Sequence, residues 1–170
     1  MPSMQLRHYL QKFIHYAREA KQVTIYNKAG LVHDLANFLQ ENLPKENFGV
    51  QLHRKAKEVV VNTNGEGLAK EAIDLYVFHI AGKEQHALQV IVYGGQSSEN
   101  MTSEIQHQLR LMKSLKEEGF LETHLFLACQ QHTQEEEEEH PSFPLQMEWQ
   151  ELQPVTQDRN GSWICAIQTL

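Results

Sequence analysis

EAIDLYVFHIAGKEQHALQVIVYGG, residues 71–95, is the stretch that decides the fold. Two apolar runs flank a short segment, Ala81-Gly82-Lys83-Glu84, and Gly94-Gly95 closes the second run. That is the pattern of a β-hairpin. Pairing Ile80 with Gln85 across a four-residue turn sets Tyr76 opposite Gln89 and Asp74 opposite Ile91. Because strand side chains alternate, these four share one sheet face. Asp74 is the single carboxylate inside the first run. A carboxylate in such a run is costly unless it is paired, metal-bound or at the sheet rim. The chemistry of the chain therefore turns on what Asp74 meets.

Outward from the hairpin, the N-terminal side is helical. Leu6, Tyr9, Leu10, Phe13, Ile14 and Ala17 recur with helical spacing, and Ser3 is available as N-cap. Val23 to Tyr26 reads as a short extended piece. Asn27 caps a second helix whose apolar stripe is Leu31, Leu35, Phe38 and Leu39, and Pro44 stops it. Asp34 lies at the edge of that stripe, while His33 points outward. From Phe48 the period changes to two through Val50 and Leu52, giving a strand that Val59-Val60-Val61 either continues or follows with another.

Downstream, Gly94 to Asn100 reads as a polar loop. Thr102 or Ser103 caps a third helix through Ile105, Leu109, Met112 and Leu115, ending at Gly119. His124 to Cys129 is a short buried strand. Residues 130–144 are low-complexity, with glutamates at 135–139 between His132 and His140, and read as an acidic flexible surface loop. Two last strands, Leu145–Leu152 and Ser162–Leu170, are joined through an Asn160-Gly161 turn signal, with Trp149 and Trp163 on their core side. The order of elements predicts an α/β fold, a single domain over residues 1–170 with a central mixed sheet flanked by helices and a C-terminal β-hairpin.

Composition bounds the function. The 41% hydrophobic and 22% charged fractions suit a globular chain. No apolar run approaches the roughly 20 residues of a membrane span. Cys129 and Cys165 lack metal-type spacing and sit in apolar runs, so they read as buried free thiols of a reducing, cytoplasmic compartment. The net charge of −7 divides into +2 on residues 1–80 and −9 on residues 81–170. That field opposes nonspecific nucleic-acid binding. Arg54, Lys55 and Lys57 with Lys70 form the best local basic patch, and a solvated loop and strand edge is the better account of them.

With these elements in order, the chain resembles the PD-(D/E)XK superfamily, the restriction-endonuclease-like fold. The segments that carry the resemblance are Tyr26 to Leu35 opening the acidic helix, Lys70 to Leu75 on the first hairpin strand, Leu115 to Phe120 ending the next helix, Leu125 to Leu127, and Met147 to Trp149. They look similar to a bacterial subgroup of uncharacterised proteins of that fold, over residues 22–170. The resemblance implies a Mg²⁺ or Mn²⁺ site with Asp34, Asp74 and Gln89 as ligands and catalytic residues, in a family whose reaction is metal-assisted phosphodiester hydrolysis. The lysine that serves the attacking water in that family falls at Ile91, which carries neither charge nor hydrogen bond. Lys70, Lys83 and Lys113 are the displaced lysines within view.

Two readings follow. In one, the site is degenerate, no cofactor is needed, and the chain is a binding or interaction protein, in bacterial defence or toxin neutralisation. Its acidic second half then favours a basic protein partner over nucleic acid. In the other, it is a Mg²⁺- or Mn²⁺-dependent nuclease with an irregular site. His79 and His86, flanking the hairpin turn, are expected to face solvent.

Overall fold

The computed structural model describes residues 4–19, 25, 27–59, 71–94, 98–131, 148–153 and 162–170. In chain order the elements are α1 (Leu6–Glu19), α2 (Lys28–Asn42), β1 (Phe48–Lys55), α3 (Ala56–Val59), β2 (Ala72–His79), β3 (Gln85–Tyr93), α4 (Ser98–Glu117), β4 (Glu122–Gln131), β5 (Gln150–Gln153) and β6 (Ser162–Thr169). The strands form one six-stranded sheet in the order β1-β2-β3-β4-β6-β5. β3 and β4 run parallel, joined through α4, and every other neighbour pair is antiparallel. The architecture is a mixed α/β sheet flanked by helices, ending in an antiparallel strand pair.

The two periodicities build the two layers. On one face, Leu75 and Val77 of β2, Leu88 and Val90 of β3, and Phe126 and Ala128 of β4 meet the buried stripes of α1 and α2. That stripe is Leu6, Leu10, Phe13, Ile14 and Ala17 on α1, and Leu31, Val32, Leu35, Ala36 and Leu39 on α2. On the opposite face, Ile91, Leu125, Leu127 and Cys129 pack against Met101, Ile105 and Met112 of α4. α2 starts where its cap places it: Asn27 is extended, and its side chain accepts from the Gly30 amide at 2.8 Å. At the other end, Leu43 sits one residue before Pro44, and its amide still donates to Leu39.

The hairpin exists as expected, but its register differs. Tyr76 pairs with Ala87 and Phe78 with Gln85, so neither Tyr76–Gln89 nor Asp74–Ile91 is a cross-strand pair. Turn chemistry is the reason. The His79 amide donates to the Glu84 carbonyl, and the Ala81 amide donates to His79 Nδ1, so the turn closes one residue earlier on each side. The Ile80 amide instead donates to the Asn47 carbonyl, ahead of β1. The slip is an even number of residues, which preserves the alternation of faces.

Other boundaries moved as well. α4 begins at Ser98, so residues 98–100 are helical and not loop. Val59 closes the short α3 and is in no strand. β4 extends beyond the apolar run to Glu122 and Gln131. In the penultimate strand Gln150–Gln153 is paired, Glu148 and Trp149 are not, and residues 145–147 lie outside the described residues; Trp149 packs against the α4-side core. Trp163 is buried on the other face. Ser3, residues 20–24, the rest of the valine run, Lys70, the glutamates at 135–139 and the Asn160-Gly161 turn lie outside the described residues.

Candidate functional site at the fork of the hairpin

Asp74 stands where the sheet is irregular. β1 pairs with β2 on both sides of it, at Leu52–Leu75 and Arg54–Ile73. The residue between those β1 positions, His53, has a left-handed φ of 52°. Alternation breaks at the same place. Leu75 faces α1 and α2, whereas Ile73 packs with Ala56 and Leu111 toward α4. Across the other edge, the ladder between β2 and β3 covers Leu75 to Phe78. Beyond Leu75, side chains take over the ladder's role.

Two side chains fill the fork. The Asp74 amide donates to Gln89 Oε1 at 2.8 Å, and the Val90 amide donates to Asp74 Oδ2 at 2.9 Å. Gln89 Nε2 donates to the Ala72 carbonyl at 3.2 Å and to Gln108 Oε1 of α4 at 2.7 Å. Asp74, Gln89 and Gln108 are all buried. A backbone amide can only donate and a carbonyl can only accept, so these neighbours fix which way round the Gln89 amide lies. The net effect is a pair of polar struts that satisfy backbone groups the splayed strands leave open.

The countercharge comes from α2. Lys28 Nζ lies 3.1 Å from Asp74 Oδ2, with the carboxylate 8% and the lysine 43% exposed. Lys28 is the first residue after the Asn27 cap, so the cap positions it. Among the displaced lysines named from sequence, Lys83 is exposed in the turn and Lys113 is exposed on α4. Lys28 was missed because 46 residues separate it from Asp74, and only the packing of α2 on the sheet joins them.

Asp34 stays outside this set. It is half-buried on α2, and burial raises its carboxyl above the usual range while the His33 charge opposes that shift. Among the described residues, no hydrogen bond or ion pair links it to Asp74 or Gln89. Ile91 is buried against Met101, Ile105 and Met112.

A divalent cation, as the resemblance implies, needs oxygen ligands. Here the one oxygen of Gln89 already accepts from the Asp74 amide, and Asp74 Oδ2 already meets an ammonium and an amide. Among the described residues, no group of three or more His, Cys, Asp or Glu side chains is placed to hold a metal ion. Both of those oxygens are thus already engaged by donors of the chain itself.

Elsewhere, the basic patch is partly neutralised, because Arg54 Nε lies 3.3 Å from Glu58 Oε2. A groove of about 420 Å³ between α2 and β1, lined by Glu41, Leu43, Phe48 and Val50 among others, does not include Asp74. Cys129 and Cys165 are free and buried, and burial pushes both thiols up to about 12, so neither is a thiolate at neutral pH. They face opposite sides of the sheet.

The histidine expectation is corrected at one position. His86 is fully buried, while His79 packs edge-on against Phe48. The signal for His86 was present, since it has the same strand parity as Leu88 and Val90, which face the core.

No family model matches the chain, and neither a curated protein nor a solved structure does. Among the described residues, no helix is long and apolar enough to cross a membrane.

Proposed function

We propose that this chain is a restriction-endonuclease-like protein whose catalytic site is degenerate, and that it acts as a binding or interaction protein in bacterial defence or toxin neutralisation. One observation carries the reading: the Lys28 ammonium sits on Asp74 Oδ2 where the family would place a metal ion. An internal cation of this kind removes the reason for the carboxylate to recruit an external one. Gln89 supports the same reading, because its amide is consumed in bracing the fork. The charge of −9 on residues 81–170 favours a basic protein partner.

A second reading has one observation in its favour. Lys28 brings an amine to Asp74, as a nuclease with an irregular site would need, but from a helix and not from the second hairpin strand. Such an enzyme would use Mg²⁺ or Mn²⁺ with Asp34, Asp74 and Gln89.

Incubation with plasmid and single-stranded DNA in Mg²⁺ and in Mn²⁺, comparing wild type with Asp74→Ala, separates the two. The degenerate reading expects no cleavage from either protein and no heat in a Mn²⁺ titration. Cleavage that disappears in Asp74→Ala would overturn it.

A further inference from the structure

At the turn end of the hairpin, away from the fork, four titratable side chains meet the start of α1. His86 Nε2 lies 2.8 Å from Glu84 Oε1, and His86 Nδ1 lies 3.3 Å from Glu122 Oε2. His124 Nε2 lies 3.2 Å from the same Glu122 oxygen. Both imidazoles are fully buried, while the carboxylates are about one-fifth exposed. The carboxylates also hold main chain: the Met4 amide donates to Glu84 Oε1 at 3.0 Å, and the Leu6 amide to Glu122 Oε2 at 2.9 Å. These two amides belong to the chain entering α1, whose first-turn donors have no partner within the helix.

The two histidines differ in what they need. His124 Nδ1 lies 2.9 Å from Thr169 Oγ1, and that hydroxyl also accepts from Arg7 at 2.8 Å. A neutral His124, with its proton on Nε2, donates to Glu122 and accepts from Thr169, so both nitrogens are satisfied. His86 has a carboxylate on each side. A neutral imidazole has one N–H and must turn a lone pair toward one of them. Its Nδ1 is buried without a hydrogen bond, although Glu122 is within ion-pair distance. Only the imidazolium donates in both directions.

We propose that His86 is the proton-operated half of a clamp that fastens the N-terminal end of α1 to the sheet. Protonated, it bridges Glu84 and Glu122 and holds their oxygens under the Met4 and Leu6 amides. Deprotonated, it sets a buried lone pair against one carboxylate and loosens that grip. The facing groups among the described residues are Glu84 from the turn, Glu122 and His124 from β4, Thr169 from β6 and Arg7 from α1. Glu122 is prepared for its part. Burial pushes its carboxyl up, but hydrogen bonds from His124 and Leu6 and the charges of His124 and His86 together bring it below the ordinary range.

Amide hydrogen exchange at the start of α1, corrected for intrinsic rates, tests this between about pH 5 and 8. Protection at Met4 and Leu6 is expected to fall about tenfold or more as pH rises and His86 gives up its proton, the size of one charge-assisted hydrogen bond. In His86→Gln the pH dependence vanishes, and in Glu84→Gln it becomes shallower. The ¹⁵N shifts of the His86 ring in wild type should follow the same midpoint, which keeps the test decisive if His86→Gln does not fold. Protection that is flat with pH in wild type, or a pH dependence that survives in His86→Gln, or a ring midpoint apart from the protection midpoint, would each overturn the clamp.

Discussion

Gln89→Glu separates a strut from a metal ligand most sharply. If position 89 held a cation, the glutamate would add a carboxylate to the site and improve it. In the structure the substitution exchanges Nε2 for an anionic oxygen that faces the Ala72 carbonyl and Gln108 Oε1, two acceptors. Two hydrogen bonds are lost, and a charge is placed in a buried site with no cation of its own. At about 1–3 kcal/mol for each buried group left without a partner, the loss at neutral pH is about 3–5 kcal/mol. For a domain of this length, that lowers Tm by about 6–20 °C. The introduced carboxyl is driven toward its neutral form, so its folded pKa lies above the unfolded value. The ionisation part of the penalty is then absent below the unfolded value, about 4.3, and grows as pH rises above it, while the acceptor that a single O–H cannot serve stays unpaired at every pH. Urea melts of wild type and Gln89→Glu at pH 5 and pH 7.5, each with and without Mn²⁺, read both quantities. A variant as stable as wild type at pH 7.5, or one that Mn²⁺ stabilises, refutes the strut.

Three further outcomes follow from single contacts. Lys28→Met leaves Asp74 buried with one amide for its Oδ2; because Lys28 is 43% exposed, the expected cost is reduced to about 1–2 kcal/mol, measured by chemical denaturation. Asn27→Ala removes the acceptor for the Gly30 amide and should cost about 1 kcal/mol, with exchange of the first-turn amides of α2 rising by a similar factor. Acidification tests Glu122, whose carboxyl lies below its ordinary range. The stability it contributes is complete above the unfolded value and is lost as pH falls through the lower folded value, so Glu122→Gln should flatten the acid limb of the stability curve.

Much of the fold was legible before any coordinates. The stripe of α1 through Leu6, Leu10, Phe13, Ile14 and Ala17 is a direct consequence of helical spacing, and each of these residues is buried. The Asn27 cap and the stop before Pro44 are local chemistry, settled within a few residues of chain. The hairpin faces were readable for the same reason from Leu75 to Val77 and from Ala87 to Ile91, because strand alternation has a period of two, but not at Ile73, where the irregularity opposite His53 reverses the face. Its register was not, since the choice between closing at Ile80 or at His79 depended on an imidazole accepting the Ala81 amide and on Asn47 accepting the Ile80 amide.

The candidate site divides along the same line. Asp74 and Gln89 could be singled out from sequence because polar groups in apolar strands need partners, and they prove to be each other's neighbours. Lys28 beside Asp74, Gln108 beneath Gln89 and Glu122 beside His86 could not, because each contact joins segments that meet only once helices dock on the sheet. Periodicity is a property of the chain alone, so the sequence determined which faces are buried. The pairing of buried charges depends on distances between elements, and those distances exist only in the tertiary structure.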